Sequence, residues 1–414
     1  MNIYFSGISG TGIGPLAELA FDAGHTVFGS DRAEGAVTKE LREKGAKLHI
    51  GDQNGNFLRS VHEQTKIDWL VYTSALPSDH PELLLAKELG IKITKRDDFL
   101  THLIKQHQLK LVAIAGTHGK TTTTAMVVWA CHQLKIPTSY LVGSTLSWDN
   151  SGKFTKNNDF FVYEADEYDH NFLKFHPWLG VITTETYDHP DIYKTPDEYQ
   201  KAFEQFRSQS EHVISEVDAL PINGLTLVGE LRRHNAQLAF SALSMMALET
   251  SNVSSVSSSD IIEALNAFPG AGRRFEQIIP GVFSDYGHHP EEVAATIKMA
   301  HELVSQDNYK GLAVIYEPHQ NTRQHEVKDG YKNAFLDADK VFWLPTYLTR
   351  ENPKLKTLTP QDFIATLENK TIAQPAETDE DLANTLKDLH HQNYLILLMT
   401  AGPADAWLRQ VFAG

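Results

Sequence analysis

A single cysteine, Cys131, occurs in the 414 residues. A disulfide within the chain and a multi-cysteine zinc site are therefore excluded, and a small buried thiol in a reducing compartment is expected. Long apolar runs are also missing. No stretch reaches the roughly 18 residues a membrane span needs, and Met1-Asn2-Ile3-Tyr4-Phe5-Ser6-Gly7 is not a charged start followed by such a run. The expected location is the cytoplasm. Positive charge is scarce as well: 37 Lys and Arg against 53 Asp and Glu give a net charge of −16. Nucleic acid and anionic membrane, which need a broad basic face, are not expected partners. Any anionic ligand must be met by local cations.

Average apolar and charged content then permits sizeable cores, and the length suggests two to three domains, of which three is the working number. Short apolar runs alternate with helical patterns, as at residues 2–5, 26–29, 69–73 and 91–94, the rhythm of parallel β/α units. A polar helix near residues 97–108 closes the first stretch. Further strands are expected at 111–115, 160–164, 179–183, 311–316, 340–344 and 394–399. The serine-rich stretch 251–259 reads as a surface loop.

Gly116-Thr117-His118-Gly119-Lys120-Thr121 stands between a buried strand and a helix. Its glycines let backbone N–H groups turn toward a polyphosphate, and the helix adds the positive end of its dipole. Lys120 supplies a mobile charge and Thr121 a hydroxyl for Mg²⁺. The common pattern has one more glycine where Ile114 stands, so the loop is a shortened variant. Magnesium on phosphates needs hard oxygen ligands. Glu164, opening Glu164-Ala165-Asp166-Glu167-Tyr168-Asp169, and Asp188-His189 both follow strands whose ends would lie beside the loop.

Gly7-Ile8-Ser9-Gly10-Thr11-Gly12-Ile13-Gly14 follows the first strand and opens a helix, with Asp31 after the second strand. The spacing departs from G-x-G-x-x-G, so the turn reads as a pyrophosphate site without fixing the nucleotide. Late in the chain His288 and His289 start a helix, and Glu317-Pro318-His319-Gln320-Asn321-Thr322-Arg323 follows a buried strand. Arg323 suits a carboxylate.

The run Ala115 to Thr124, the acidic string from Glu164, Asp188-His189, Arg273-Arg274-Phe275 and Asp285-Tyr286-Gly287-His288-His289-Pro290 together resemble the Mur ligase family of peptidoglycan synthesis, in the same motif order from Gly7 to Gly402. The later strings are most similar to its alanine-adding branch. The resemblance implies an α/β fold of three domains: a Rossmann-like UDP-substrate domain at 1–106, a central P-loop ATPase-like parallel sheet at 107–276, and a Rossmann-like amino-acid domain at 277–414. It implies ATP and Mg²⁺ as cofactors, with UDP-N-acetylmuramate and L-alanine joined through an acyl phosphate. ATP would be held by Gly116, Thr117, His118, Gly119, Lys120, Thr121, Thr122 and Asn235, with Arg274 and Asp285 reaching it from the third domain. Thr121, Glu164 and His189 would hold metal. Gly7, Ser9, Gly10, Gly12, Asp31 and Ser74 would hold the UDP substrate, and His288, His289 and Arg323 the amino acid. Lys120, Glu164, His189 and His288 would form the catalytic set.

Several positions depart from the family pattern. Leu238 replaces a second asparagine, Gln320 an arginine, and Thr183-Thr184-Glu185-Thr186 a Thr-Asn-Ile-Glu string. A recycling ligase that joins UDP-N-acetylmuramate to a preformed peptide, and a non-catalytic UDP-muramoyl or ATP sensor, are the alternatives. The sequence leaves the oligomeric state open.

Overall fold

The computed structural model describes residues 1–73, 75–189, 192–219, 221–250, 256–349 and 351–413, with Asp169 described in its backbone only. Five short strands open the chain: β1 (Asn2–Ser6), β2 (Thr26–Asp31), β3 (Lys47–Ile50), β4 (Trp69–Tyr72) and β5 (Lys92–Lys95). All are parallel, in the order β3-β2-β1-β4-β5. The order reverses between β1 and β4, and open α/β sheets bind ligands beyond the strand ends at such a point. Helix Gly14–Asp22 follows β1 with Pro15 in its first turn, where the missing N–H costs nothing.

The second sheet has β6 (Lys110–Ala115), β7 (Thr138–Leu141), β8 (Gly152–Lys153), β9 (Phe160–Glu164), β10 (Leu179–Ile182) and β11 (His212–Ile214), ordered β11-β10-β6-β9-β7-β8. Only β8, paired with β7, runs antiparallel. The apolar strands β6 and β9 are buried on both faces, as a helix-covered parallel sheet requires. Because β9 and β10 flank β6, their C-terminal ends stand on either side of the loop that follows β6. The first two sheets share a core in which Phe5, Trp69 and Phe99 are joined to Leu111, Phe161 and Tyr163.

The third sheet contains β12 (Glu276–Ile279), β13 (Val282–Asp285), β14 (Gly311–Glu317), β15 (Lys340–Trp343), β16 (Ala373–Pro375) and β17 (Tyr394–Thr400), ordered β12-β13-β17-β14-β15-β16. Alternation along β14 feeds two cores: Val314 and Tyr316 enter one, Ala313 and Ile315 the other. The antiparallel β12–β13 hairpin was not expected from the sequence; each strand has four residues, and Gly281 at φ +80° makes the turn. The helix that carries Asn235 spans Glu230–Glu249. Ser258 and Ser259 begin a helix rather than ending a loop, while residues 251–255 of that serine-rich stretch lie outside the described residues.

Two compact units result. One comprises Met1–Gly224 with Asn235–Phe268 and carries the first two sheets; the other comprises Leu225–His234 with Pro269–Gly414 and carries the third. Among the described residues no helix is long and apolar enough to cross a membrane. Cys131 is buried in the helix Lys120–Gln133.

Candidate active site

Residues 116–119 join β6 to the helix Lys120–Gln133. Gly116 (φ +135°) and Gly119 (φ +83°) both adopt backbone conformations that disfavour a side chain, and a Cβ on Gly119 would lie 2.5 Å from Asn235 Oδ1. The loop is braced by the segment after β10. The Thr117 N–H donates to Thr184 O at 2.9 Å, and the His118 N–H donates to Thr184 Oγ1 at 2.9 Å. Thr183 Oγ1 donates to His118 O at 2.5 Å, and Thr117 Oγ1 donates to Thr186 O at 2.6 Å. The string Thr183 to Thr186, which departs from the family pattern, is thus the wall against which the loop is set.

Lys120 Nζ donates to Gly116 O at 2.5 Å and forms an ion pair with Glu167 Oε2 at 2.8 Å. Burial pulls the ammonium's pKa down, but Glu167, Asp166 and Glu164 together hold it above the ordinary lysine value. Burial also acts against the Glu167 carboxylate. Lys120 and a hydrogen bond from His189 outweigh it and keep Glu167 below its usual range. His189, at φ +58°, places Nε2 3.3 Å from Glu167 Oε1. On the other flank Thr121 Oγ1 donates to Glu164 Oε1 at 2.8 Å, and Glu164 Oε2 accepts the Gly143 N–H at 2.9 Å. Glu164 was legible as a site residue in the sequence and Glu167 was not; the 3-10 turn Tyr168–Lys174 that follows decides which acid of the run meets Lys120.

Asn235 is 2 % exposed on its helix, and its Oδ1 has no hydrogen-bond partner among the described residues. Leu238, fully buried on the same helix, belongs to the apolar interior, so no second asparagine could be accommodated there without a polar partner. Thr122 is half-buried in the first helical turn. Thr121 with Glu164 offers adjacent hard oxygen donors beside an ammonium, a set that fits Mg²⁺ on a polyphosphate.

At the end of β1 the chain turns through Gly7 (φ +83°), where a Cβ would come within 2.8 Å of Thr73 Cγ2 beyond β4. Gly7 and Ile8 donate their N–H groups to Ser30 O at 2.9 and 3.1 Å. Asp31 Oδ2 accepts the Ser9 N–H at 2.8 Å, so this carboxylate holds the turn itself. Gly10 and Gly12 complete the turn before helix Gly14–Asp22, and Gly14 is needed because a Cβ there would meet Val37 Cγ1 at 2.6 Å. Ser74 lies outside the described residues. Below the turn, Glu82 is 1 % exposed and accepts hydroxyls from Tyr4 at 2.6 Å, Ser30 at 2.6 Å and Ser6.

Within the second unit, Asp285 is buried and accepts the N–H groups of Phe275 and Gly287, each at 2.7 Å. Burial raises its pKa, against the pull of Arg274. The Arg274 guanidinium stacks 5.0 Å from the Tyr286 ring centre. His288 Nδ1 lies 3.2 Å from Tyr286 O, while Arg323 donates to His288 Nε2. That pattern requires a neutral imidazole protonated on Nδ1, and burial indeed lowers the pKa of His288. His289 caps helix Pro290–Gln306. Gln320 sits at φ +62°, its N–H on Tyr347 O at 2.9 Å. The sequence-expected residues therefore form two groups: a phosphate loop and a glycine turn in the first unit, and an Asp285, His288 and Arg323 group in the second.

Residues 2–108 match the Mur ligase family catalytic domain, and residues 114–260 match the Mur ligase middle domain. The chain belongs to the Mur ligase family. A UDP-N-acetylmuramate–L-alanine ligase of Clostridium novyi is 31 % identical over 97 % of this chain and 94 % of its own length. The enzyme of that name from Clostridium perfringens is 30 % identical over 84 % of each chain. Among solved structures, the UDP-N-acetylmuramate-alanine ligase of Thermotoga maritima shares the fold of this Mur ligase with a TM-score of 0.75 at 23 % identity, covering 100 % of this chain and 98 % of that one. A murein peptide ligase of Psychrobacter arcticus follows with a TM-score of 0.62 at 20 % identity and the same coverage.

Proposed function

We propose that this Mur ligase joins L-alanine to the carboxylate of UDP-N-acetylmuramate in making a peptidoglycan precursor, with ATP converted to ADP and phosphate. The observation that carries the reading is the phosphate loop of Lys120 and Thr121 set between Glu167 and Glu164, in a chain that covers 94 % of an alanine-adding relative at 31 % identity. A cytoplasmic location is consistent with one buried cysteine.

The substrate carboxylate oxygen would attack the γ-phosphorus of ATP, forming an acyl phosphate and releasing ADP. The amino group of alanine would then attack the acyl carbon and expel inorganic phosphate. This chemistry asks for positioning and charge neutralisation rather than a covalent protein nucleophile. The N–H groups of Thr117 and His118 are bonded to Thr184, so the N–H groups that would face phosphate are those from Gly119 through Thr122, at the positive end of the helix. Lys120 would leave Glu167 partly for the β- and γ-phosphate oxygens. Mg²⁺, when bound, would neutralise phosphoryl charge; Thr121 and Glu164 would hold it, with His189 near a second ion. The glycine turn would take the substrate's pyrophosphate. With three domains bounded near residues 106 and 276, Arg274, just before the second boundary, and Asp285, just after it, would contact ATP. Arg323, oriented by neutral His288, would pair with the amino-acid carboxylate.

Phosphate release from ATP in the presence of UDP-N-acetylmuramate, with L-alanine, L-serine, glycine or a muramoyl-type tripeptide added in turn, tests the reading. Release with L-alanine at the highest kcat/KM supports it. Release with the tripeptide alone would replace it with the recycling ligase, and no release with any acceptor would leave a sensor.

A further inference from the structure

Arg96 opens the helix Arg96–Gln106 directly after β5, at the C-terminal edge of the strands of the first sheet. Its Nε donates to Asp97 Oδ1 at 3.1 Å, and Asp97 is 2 % exposed. The second oxygen of Asp97 accepts Lys174 Nζ at 3.2 Å. The guanidinium is therefore fixed through one edge against a carboxylate that has its own second cation. Neither Nη1 nor Nη2 makes a hydrogen bond among the described residues, and the side chain keeps 32 % of its surface open. Nη1 lies 3.1 Å from the point where a Cβ on Gly12 would stand. Arg96 thus reaches from beyond β5 to the glycine turn, and Gly12 is small where the guanidinium passes. Its electrostatic neighbours are Tyr163, Asp97 and Asp166, the last two residues beyond Glu164.

We infer that Arg96 is a binding residue for the pyrophosphate carried by the UDP substrate, an inference that rests on the reading of the turn given above. A helix start and a glycine turn supply N–H donors but little formal charge, and the chain as a whole repels an anion. A guanidinium pinned at Nε presents its two terminal nitrogens as a preformed fork, the geometry that binds two oxygens of one phosphate. Asp97 remains paired with Lys174 when Arg96 is replaced, so removal of the guanidinium does not strand a buried carboxylate.

The test is calorimetric titration of the full chain and of its Arg96→Gln and Arg96→Lys variants with UDP-N-acetylmuramate, with UDP-N-acetylglucosamine, which has the diphosphate but no lactyl carboxylate, and with ATP as a control. Arg96→Gln is expected to weaken both UDP-sugars by about 10- to 100-fold, with Arg96→Lys in between, as loss of hydrogen bonds to a charged group predicts. ATP affinity and the ligand-free melting temperature should stay as in the parent. Unchanged UDP-sugar affinities would overturn the assignment. A loss confined to UDP-N-acetylmuramate would overturn it in favour of a contact to the carboxylate, and an equal loss of ATP affinity would reduce Arg96 to a structural role. A parent that binds neither UDP-sugar would instead remove the substrate reading of the turn.

Discussion

Glu18 is 3 % exposed in helix Gly14–Asp22, and its neighbour across the fold is another carboxylate, Glu40. Asn150, from the segment before β8, donates to Glu40 Oε1 at 2.6 Å and to Glu18 Oε1 at 3.2 Å, and Lys44 pairs with Glu40 at 2.8 Å. Glu40 therefore keeps the charge and Glu18 the proton. Burial first, and Glu40 second, push the Glu18 pKa from 4.5 up to about 8. The folded protein thus holds this proton over a range where the unfolded chain has released it. Stability from this site is intact below pH 4.5, falls as pH rises and is fully lost above about pH 8. The shift, 8 − 4.5 = 3.5, at about 1.36 kcal/mol each sets a ceiling near 5 kcal/mol. Relaxation around a coupled pair brings the expected effect to about 2 kcal/mol. Glu18→Gln keeps the donor toward Glu40 and removes the titration. Parent and variant should melt alike at pH 5, and at pH 9 the variant should melt higher by about 4–8 °C, in a thermal scan of the full chain followed by tryptophan fluorescence. A difference between the two proteins that is the same at both pH values would refute the reasoning.

Gly119→Ala is expected to weaken ATP binding at least about tenfold in a nucleotide titration, because a positive φ disfavours the side chain and its Cβ would stand 2.5 Å from Asn235 Oδ1. Thr183→Val removes a hydroxyl that holds His118 O at 2.5 Å while keeping its shape, so urea unfolding should show a loss of about 1–2 kcal/mol and the KM for ATP should rise more than kcat falls. Tyr331→Phe should cost about 1–2 kcal/mol in denaturant unfolding of the second unit, since its buried hydroxyl lies 2.6 Å from Tyr316 Oη and 2.9 Å from Gln324 Oε1.

Much of the fold was legible because buried parallel strands announce themselves as short apolar runs, and those at residues 111–115, 160–164 and 394–399 all appear close to their expected limits. The hairpin β12–β13 was not, since Glu276–Ile279 and Val282–Asp285 are four residues each and the first is polar at its start. Residues whose role is local in sequence were also legible: Lys120 and Thr121 follow their glycines directly. Glu167 was hidden because four carboxylates fall within residues 164–169, from the last residue of β9 onward, and only the turn beginning at Tyr168 selects the one that faces Lys120. Thr183 and Thr184 were hidden for a different reason. Their hydroxyls bind backbone atoms of a loop far away in sequence, and such contacts leave no periodic pattern.

A protein of net charge −16 that takes highly anionic ligands must supply cations without losing them to its own acids. The same arrangement meets that need at each proposed anion site. Lys120 is held by Glu167, and His189 shares the charge of that carboxylate. Arg96 is held by Asp97, and Lys174 shares that one. In the second unit Arg323 is oriented by neutral His288 instead of an acid. Each cation is fixed in direction by a partner whose grip is already divided or uncharged, so an incoming oxyanion competes with a weakened ion pair rather than a full one. Orientation is thereby set before the ligand arrives, at little cost to its binding.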